Sequence, residues 1–194
     1  VAVLSYPYLS KGCDTFTAMI SVKKKFTLAT ADKEIQKIQD AVLDSKLPAG
    51  FSDVIIYMLS ELYANVHEHS KAKNTVIAIS VQKGEMNLSV RDDGIGIRMS
   101  YLRNNNFAKD DKSAILLALS GVSTKKRNER AFGLYSIKQL TEKQNGTMKI
   151  TSGVSSVTIT KAKMEFSESR KRHKGVSVQI KMSVKPMNIY EIIR

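Results

Sequence analysis

The sequence predicts an α+β protein, a two-layer α/β sandwich with helices packed on one face of a mixed, mostly antiparallel sheet. Three observations lead there. Two segments of helical period lie close together near the start, one from Thr30 and one over 52–71. Two period-two segments, 75–82 and 86–91, flank the turn sequence Lys83-Gly84. The last third reads almost wholly as strands.

The elements follow in order. Residues 14–28 carry Thr15, Phe16, Thr17, Ile20, Val22 and Phe26 around a lysine run, a composition that favours strand. From Thr30, a candidate N-cap, Ile35, Ile38 and Val42 recur at helical spacing until Leu47-Pro48-Ala49-Gly50 ends the helix. The helix over 52–71 has Val54, Ile55, Met58, Leu59, Leu62 and Val66 as its buried stripe. In the first hairpin strand Val76, Ala78 and Ser80 share one face, and Ile77, Ile79 and Val81 the other. Polar, glycine-bearing sequence then runs to about Asp111, and 113–120 forms a short helix. Residues 121–130 are a basic loop. Helix resumes at Gly133 with Leu134, Ile137 and Leu140, and Asn145-Gly146 stops it. Strands are expected at 148–152, 157–166 and 176–184, with a polar loop over 167–174.

A length of 194 residues fits one domain with at most a small appendage. The expected division is a strand region at 1–28 able to join the same sheet, a main domain at 29–184, and a tail at 185–194. No run of about 18 apolar residues suits a membrane span. The start lacks Met and a signal pattern, so a trimmed chain or a domain cut from a longer protein is expected. The single cysteine, Cys13, cannot close an intramolecular disulfide, and no Cys/His cluster has zinc spacing; a cytoplasmic location fits. The net charge of +13 points to an anionic companion: nucleotide, nucleic acid, acidic protein or lipid surface. Its local clusters are Lys23-Lys24-Lys25, Lys125-Lys126-Arg127 and Arg170-Lys171-Arg172, each readable as a solvated loop.

Three motifs carry chemistry. Asp92-Asp93-Gly94-Ile95-Gly96 directly follows a strand, which puts a carboxylate at the strand end and two glycines where backbone approaches a ligand. A carboxylate accepts a hydrogen bond from an exocyclic amine, the feature that distinguishes adenine from guanine at that ring position. Glu61 and Asn65, spaced i and i+4, share the polar edge of an otherwise apolar helix, a pairing suited to polarising water and holding Mg²⁺. Gly133-Leu134 opens an amphipathic helix whose free N–H groups suit a phosphate, and Ser123 to Arg127 just before it add donors and charge. Each motif alone also fits an ordinary acidic turn, an exposed helix face or a helix entrance. His67 and His69 project about 200° apart on a helix and cannot easily share a metal, so they are expected on the surface or one layer behind a site.

In this order the motifs resemble the N, G1 and G2 boxes of the GHKL ATPases, over roughly residues 50–184. The resemblance implies a Bergerat-type ATP-binding fold with ATP and Mg²⁺ as cofactors. It implies Glu61 as general base, Asn65 as metal ligand, and Asp92 on the adenine amino group, with Gly94 and Gly96 shaping the pocket. Gly133 and Leu134 fall at the phosphate end, residues 121–132 form the lid, and Lys125 is a phosphate contact. Two positions depart from the family pattern: Ala131 stands where a glycine is usual, and Gly175-Val176 where Gly-Thr is usual. Ser177 supplies the missing hydroxyl only if the register shifts by one.

The short lid and the Glu-x-x-x-Asn pair look similar to anti-sigma-factor kinases. The resemblance therefore implies a regulatory protein-serine or histidine kinase, or a slow ATPase, acting on or through a protein partner. Two alternatives stand beside it: the ATPase module of a larger machine or sensor protein, and a degenerate module whose basic surface binds nucleic acid. The oligomeric state is left open.

Overall fold

The computed structural model of the chain describes residues 20–121 and 133–191. Alternation builds its sheet. Strand β1 (Ile20–Phe26) pairs with β2 (Thr75–Gln82), which turns through Lys83-Gly84 into β3 (Glu85–Asp92). Strand β4 (Thr147–Thr160) returns as β5 (Met164–Ser183), and β5 inserts beside β3 to give the order β1-β2-β3-β5-β4. Every pairing is antiparallel, where the sequence left room for a mixed sheet. Ile77, Ile79, Val81, Met86, Leu88, Val90, Ile150 and Ile180 project from one face into the core.

Helices cover that face. Helix α1 (Ala31–Leu43) buries Ile35, Ile38 and Val42 as its spacing predicts. Thr30 holds its N-cap position without a side-chain cap bond, and its hydroxyl donates to Thr27 O instead. Helix α2 (Phe51–Asn65) buries the predicted stripe and runs on as a π turn, Val66–Ser70. Such wide turns concentrate at functional sites.

Helix α3 (Ile97–Arg103) lies inside the stretch read as polar loop. Its helical signal is only two turns long, and Ile97 and Tyr101, four apart, are its buried contacts. Helix α4 (Asp111–Leu119) starts two residues earlier than expected because Asp110 caps it, accepting from Ser113 N at 2.6 Å. Helix α5 (Gly133–Lys143) begins and ends as read.

The expected loop over 167–174 is part of β5. Gly153 pairs with His173 but Ser155 with Glu168, so the basic run is bulged out while pairing continues on both sides. Arg172 reaches Asp111 Oδ2 at 3.1 Å, and that carboxylate also accepts from Val154 N at 3.0 Å. The tail is anchored too: Met187 and Ile189 are buried, and Met187 N donates to Ala49 O at 3.1 Å. No helix among the described residues is long and apolar enough to cross a membrane.

Candidate functional site

Asp92 ends β3 on the core-facing side, in register with Thr75, and is 4% exposed. Its Oδ1 accepts from Gly94 N at 2.8 Å and its Oδ2 from Val176 N at 3.3 Å. Burial pushes its carboxyl up from the ordinary aspartate range, while those two backbone N–H groups pull it down. Asp93 points the other way. It accepts from Lys73 N and from the backbone and side chain of Asn74 at 2.8–2.9 Å, which hold its pKa down at about 2. Strand parity alone divides the two neighbouring acids: one faces the core, the other braces a loop.

Asp92 lies in the wall of a cavity between the sheet and the helices. Leu62, Val66, Val90, Ile97 and Val178 supply apolar walls, and Asn65, His69, Ser100 and Tyr101 supply polar groups. Gly96, Leu134 and Val176 complete the lining. A mostly apolar cleft with a few convergent polar atoms is the usual form of a small-molecule site.

Another part of the cavity wall forms where α5 meets α2, with Leu134 and Asn65 both in the lining. A methyl group on Gly133 would lie 2.8 Å from Glu61 Oε2 and 3.4 Å from Asn65 Nδ2, so the start of α5 faces both side chains closely. Asn65 Nδ2 is buried with no hydrogen-bond partner among the described residues. Turning that amide over would present Oδ1 to the same space, an oxygen able to face a cation. The residues present therefore fit a hard divalent ion held together with phosphate oxygens.

The family model for histidine kinase-, DNA gyrase B- and HSP90-like ATPases (HATPase_c) matches residues 51–185. The chain belongs to this ATPase family. The match begins at α2 and takes in the cavity, α5 and the β4–β5 hairpin. A HATPase_c fold is thus reached from residues, architecture and family together, and it supports ATP binding. The chain is also similar to a protein of Bacillus subtilis (strain 168) named "Sensor histidine kinase LiaS", at 22% identity over 82 residues. That similarity covers 42% of this chain and 23% of the relative, so the chain spans under a quarter of the curated relative it matches.

Of the residues singled out in the sequence, Asn65, Asp92, Gly96 and Leu134 line this HATPase_c cavity, and Glu61 and Gly133 stand close together beside Asn65. Gly94 stands behind the wall, where any side chain would run into the carbonyl of Ser70, the same oxygen that accepts from Ile95 N at 2.8 Å. Lys125 and Ala131 lie outside the described residues. Ser177 pairs with Arg91 on the opposite face of the sheet, so the register does not shift and Ser177 supplies no hydroxyl here.

Sequence reasoning missed three participants. His69 lines the cavity one turn beyond Asn65, a place that helical spacing allowed but the pairing with His67 obscured. Tyr101, pushed up to about 12 by burial, belongs to the helix read as loop. Ser152, at the β4 bulge, accepts from Ile97 N at 2.9 Å and fixes the end of the Asp-x-Gly-x-Gly segment; no local pattern announces it.

Proposed function

We propose that the cavity takes the adenine of ATP against Asp92 and directs the phosphates toward Asn65 and the start of α5. The observation that carries this is the buried, ionisable Asp92: two backbone N–H groups orient its carboxylate, and its remaining lone pairs are free to accept an amine. Gly133 and Leu134 bring the start of α5, the positive end of its dipole, to the phosphate end, and His69 adds a ring nitrogen to the same cavity. Lys125, on the lid segment, is proposed as a further phosphate contact, and Gly94 and Gly96 as residues that let the backbone close round the base.

Mg²⁺, with Asn65 as its ligand, supplies neutralisation of phosphate charge when bound. Glu61, one helical turn before Asn65, takes the proton of the attacking hydroxyl or water. The resulting activity is slow ATP hydrolysis or phosphoryl transfer to a serine or histidine of a protein partner. Support for transfer comes from the similarity to a protein named as a sensor histidine kinase. The domain, proposed as 29–184 with 1–28 joining the sheet, acts in the cytoplasm as an anti-sigma-factor-like regulator or within a longer protein.

Phosphate release from γ-labelled ATP with Mg²⁺ tests the assignment. Glu61→Ala is expected to keep binding of a non-hydrolysable analogue and to lose turnover by about a hundredfold or more. Undiminished turnover in Glu61→Ala removes it as the base. A non-enzymatic module that binds nucleic acid is the competing reading, favoured by Val176 where the family has a hydroxyl. Heat-free titration with ATP, together with salt-sensitive DNA binding, would select it.

A further inference from the structure

Neighbouring residues of a strand point to opposite faces, so the positions between the core residues make a second surface. The register arranges them in rows across all five strands. Lys23, Ala78, Ser89, Gln179 and Lys149 stand side by side, and Lys25, Val76, Arg91, Ser177 and Thr151 form the next row. Lys23, Lys25, Arg91 and Lys149 are exposed, while Val76, Ala78, Ser89 and Ser177 between them are half-buried. The result is a trough with a floor of small side chains, lysines on its two outer strands and Arg91 on the central one.

Among the described residues none of Lys23, Lys25, Arg91 or Lys149 forms an ion pair, whereas Lys24, one position away on the other face, reaches Glu34 at 3.2 Å. His173 enters the same trough from the β5 bulge with its Nε2 buried and unpartnered, and burial together with the charge of Arg91 disfavours its protonation.

The dimensions and chemistry select the occupant. Lys23 and Lys149 stand four strand spacings apart, about 19 Å between backbones. A helix with its side chains is about 10–12 Å across and fits between them. A single nucleic-acid strand is held by stacked aromatics, and the two rows contain none. Val76 and Ala78 on the floor suit an apolar helix stripe better than a phosphate backbone. A second copy is disfavoured, because a two-fold contact would set the same cations against each other.

We propose that this face, which no helix covers among the described residues, docks an acidic amphipathic helix of a protein partner, its apolar side on Val76 and Ala78 and its carboxylates toward Lys23, Arg91 and Lys149. The helix would add a third layer to the sandwich. It would sit back to back with the cavity, since Arg91 precedes Asp92 and Ser177 follows Val176 on shared strands. The proposal does not depend on what the cavity binds.

The test is fluorescence anisotropy of a labelled amphipathic peptide of about 18 residues, leucine and alanine on one face and glutamate on the other, added to the full chain. Binding is expected, weakening as salt rises from about 50 to 200 mM, and lost when glutamine replaces glutamate. Lys23→Glu with Lys149→Glu should weaken it about tenfold or more, and the milder Lys23→Gln with Lys149→Gln should weaken it in the same direction. Lys33→Glu with Lys46→Glu, an equal charge change on other exposed lysines, should alter it within about twofold. Absence of peptide binding overturns the proposal, as does equal loss in both charge-reversed chains. Tighter binding of a DNA oligonucleotide, lost in Lys23→Glu with Lys149→Glu, overturns it in favour of a nucleic-acid surface.

Discussion

The backbone N–H of Val176 donates to Asp92 Oδ2 at 3.3 Å and joins two segments separated by 84 positions in the chain. The preceding Gly175, at φ +71°, brings β5 so close that a methyl group there would lie 2.5 Å from Asp92 Oδ1. The Asp92 end of the cavity, the end proposed for adenine, is therefore built by backbone where the family pattern places a hydroxyl. Val176 itself lines the cavity with methyl groups.

A hydroxyl restored at that point should improve nucleotide binding. Val176→Thr keeps the side-chain shape and adds one donor beside Asp92, a contribution of about 1 kcal/mol. ATP affinity is expected to rise about fivefold by calorimetry. Unchanged or weaker binding would show that residue 176 does not face the base.

Acid should release the nucleotide early. Asp92 must be ionised to accept from the amino group, and burial raises its pKa above the ordinary aspartate value of 3.8. Affinity is therefore expected to be level at neutral pH and to fall as pH drops through that raised value, before an exposed aspartate would titrate. Adenosine, which carries no titrating phosphate, is the ligand for the measurement. Constant affinity down to about pH 4 would contradict the role of Asp92.

Asp93 should matter to stability. Its pKa is lowered from 3.8 to about 2 by its bonds to Asn74 and Lys73. A depressed carboxyl contributes stability that is complete above the unfolded value and lost as pH falls through the folded one, here between 3.8 and about 2. Asp93→Ala is expected to lower the unfolding free energy by about 2 kcal/mol at neutral pH in urea titrations. It should also flatten the acid limb over that window; an unaltered acid limb would mean that the three bonds do not persist in solution.

The core and the order of the motifs were legible because they rest on local periodicity. Val54, Ile55, Met58, Leu59 and Leu62 mark their helix by spacing alone, and Ile77, Ile79 and Val81 mark theirs by alternation. Strand parity even separates Asp92 from Asp93 once the end of β3 is known. What was not legible depends on partners distant in sequence. Helix α3 is only two turns long, buries Ile97 and Tyr101 but exposes Met99 and Leu102, and is held by Ser152, 55 residues away from Ile97. The basic run Arg170 to Lys174 reads as loop by composition, yet its bulge is held within β5 because pairing with β4 continues on both sides. The buried place of Asn65 Nδ2, facing the start of α5, is likewise a product of packing between α2 and α5.

Calorimetric titration of ATP with Mg²⁺ into the wild-type chain and into Asp92→Asn tests the central claim most directly. A charge-assisted hydrogen bond lost at a buried site costs about 1.5–3 kcal/mol, so binding by Asp92→Asn should be weaker by about ten- to a hundredfold, with its circular dichroism unchanged. Equal ATP affinity in the two proteins would contradict the account.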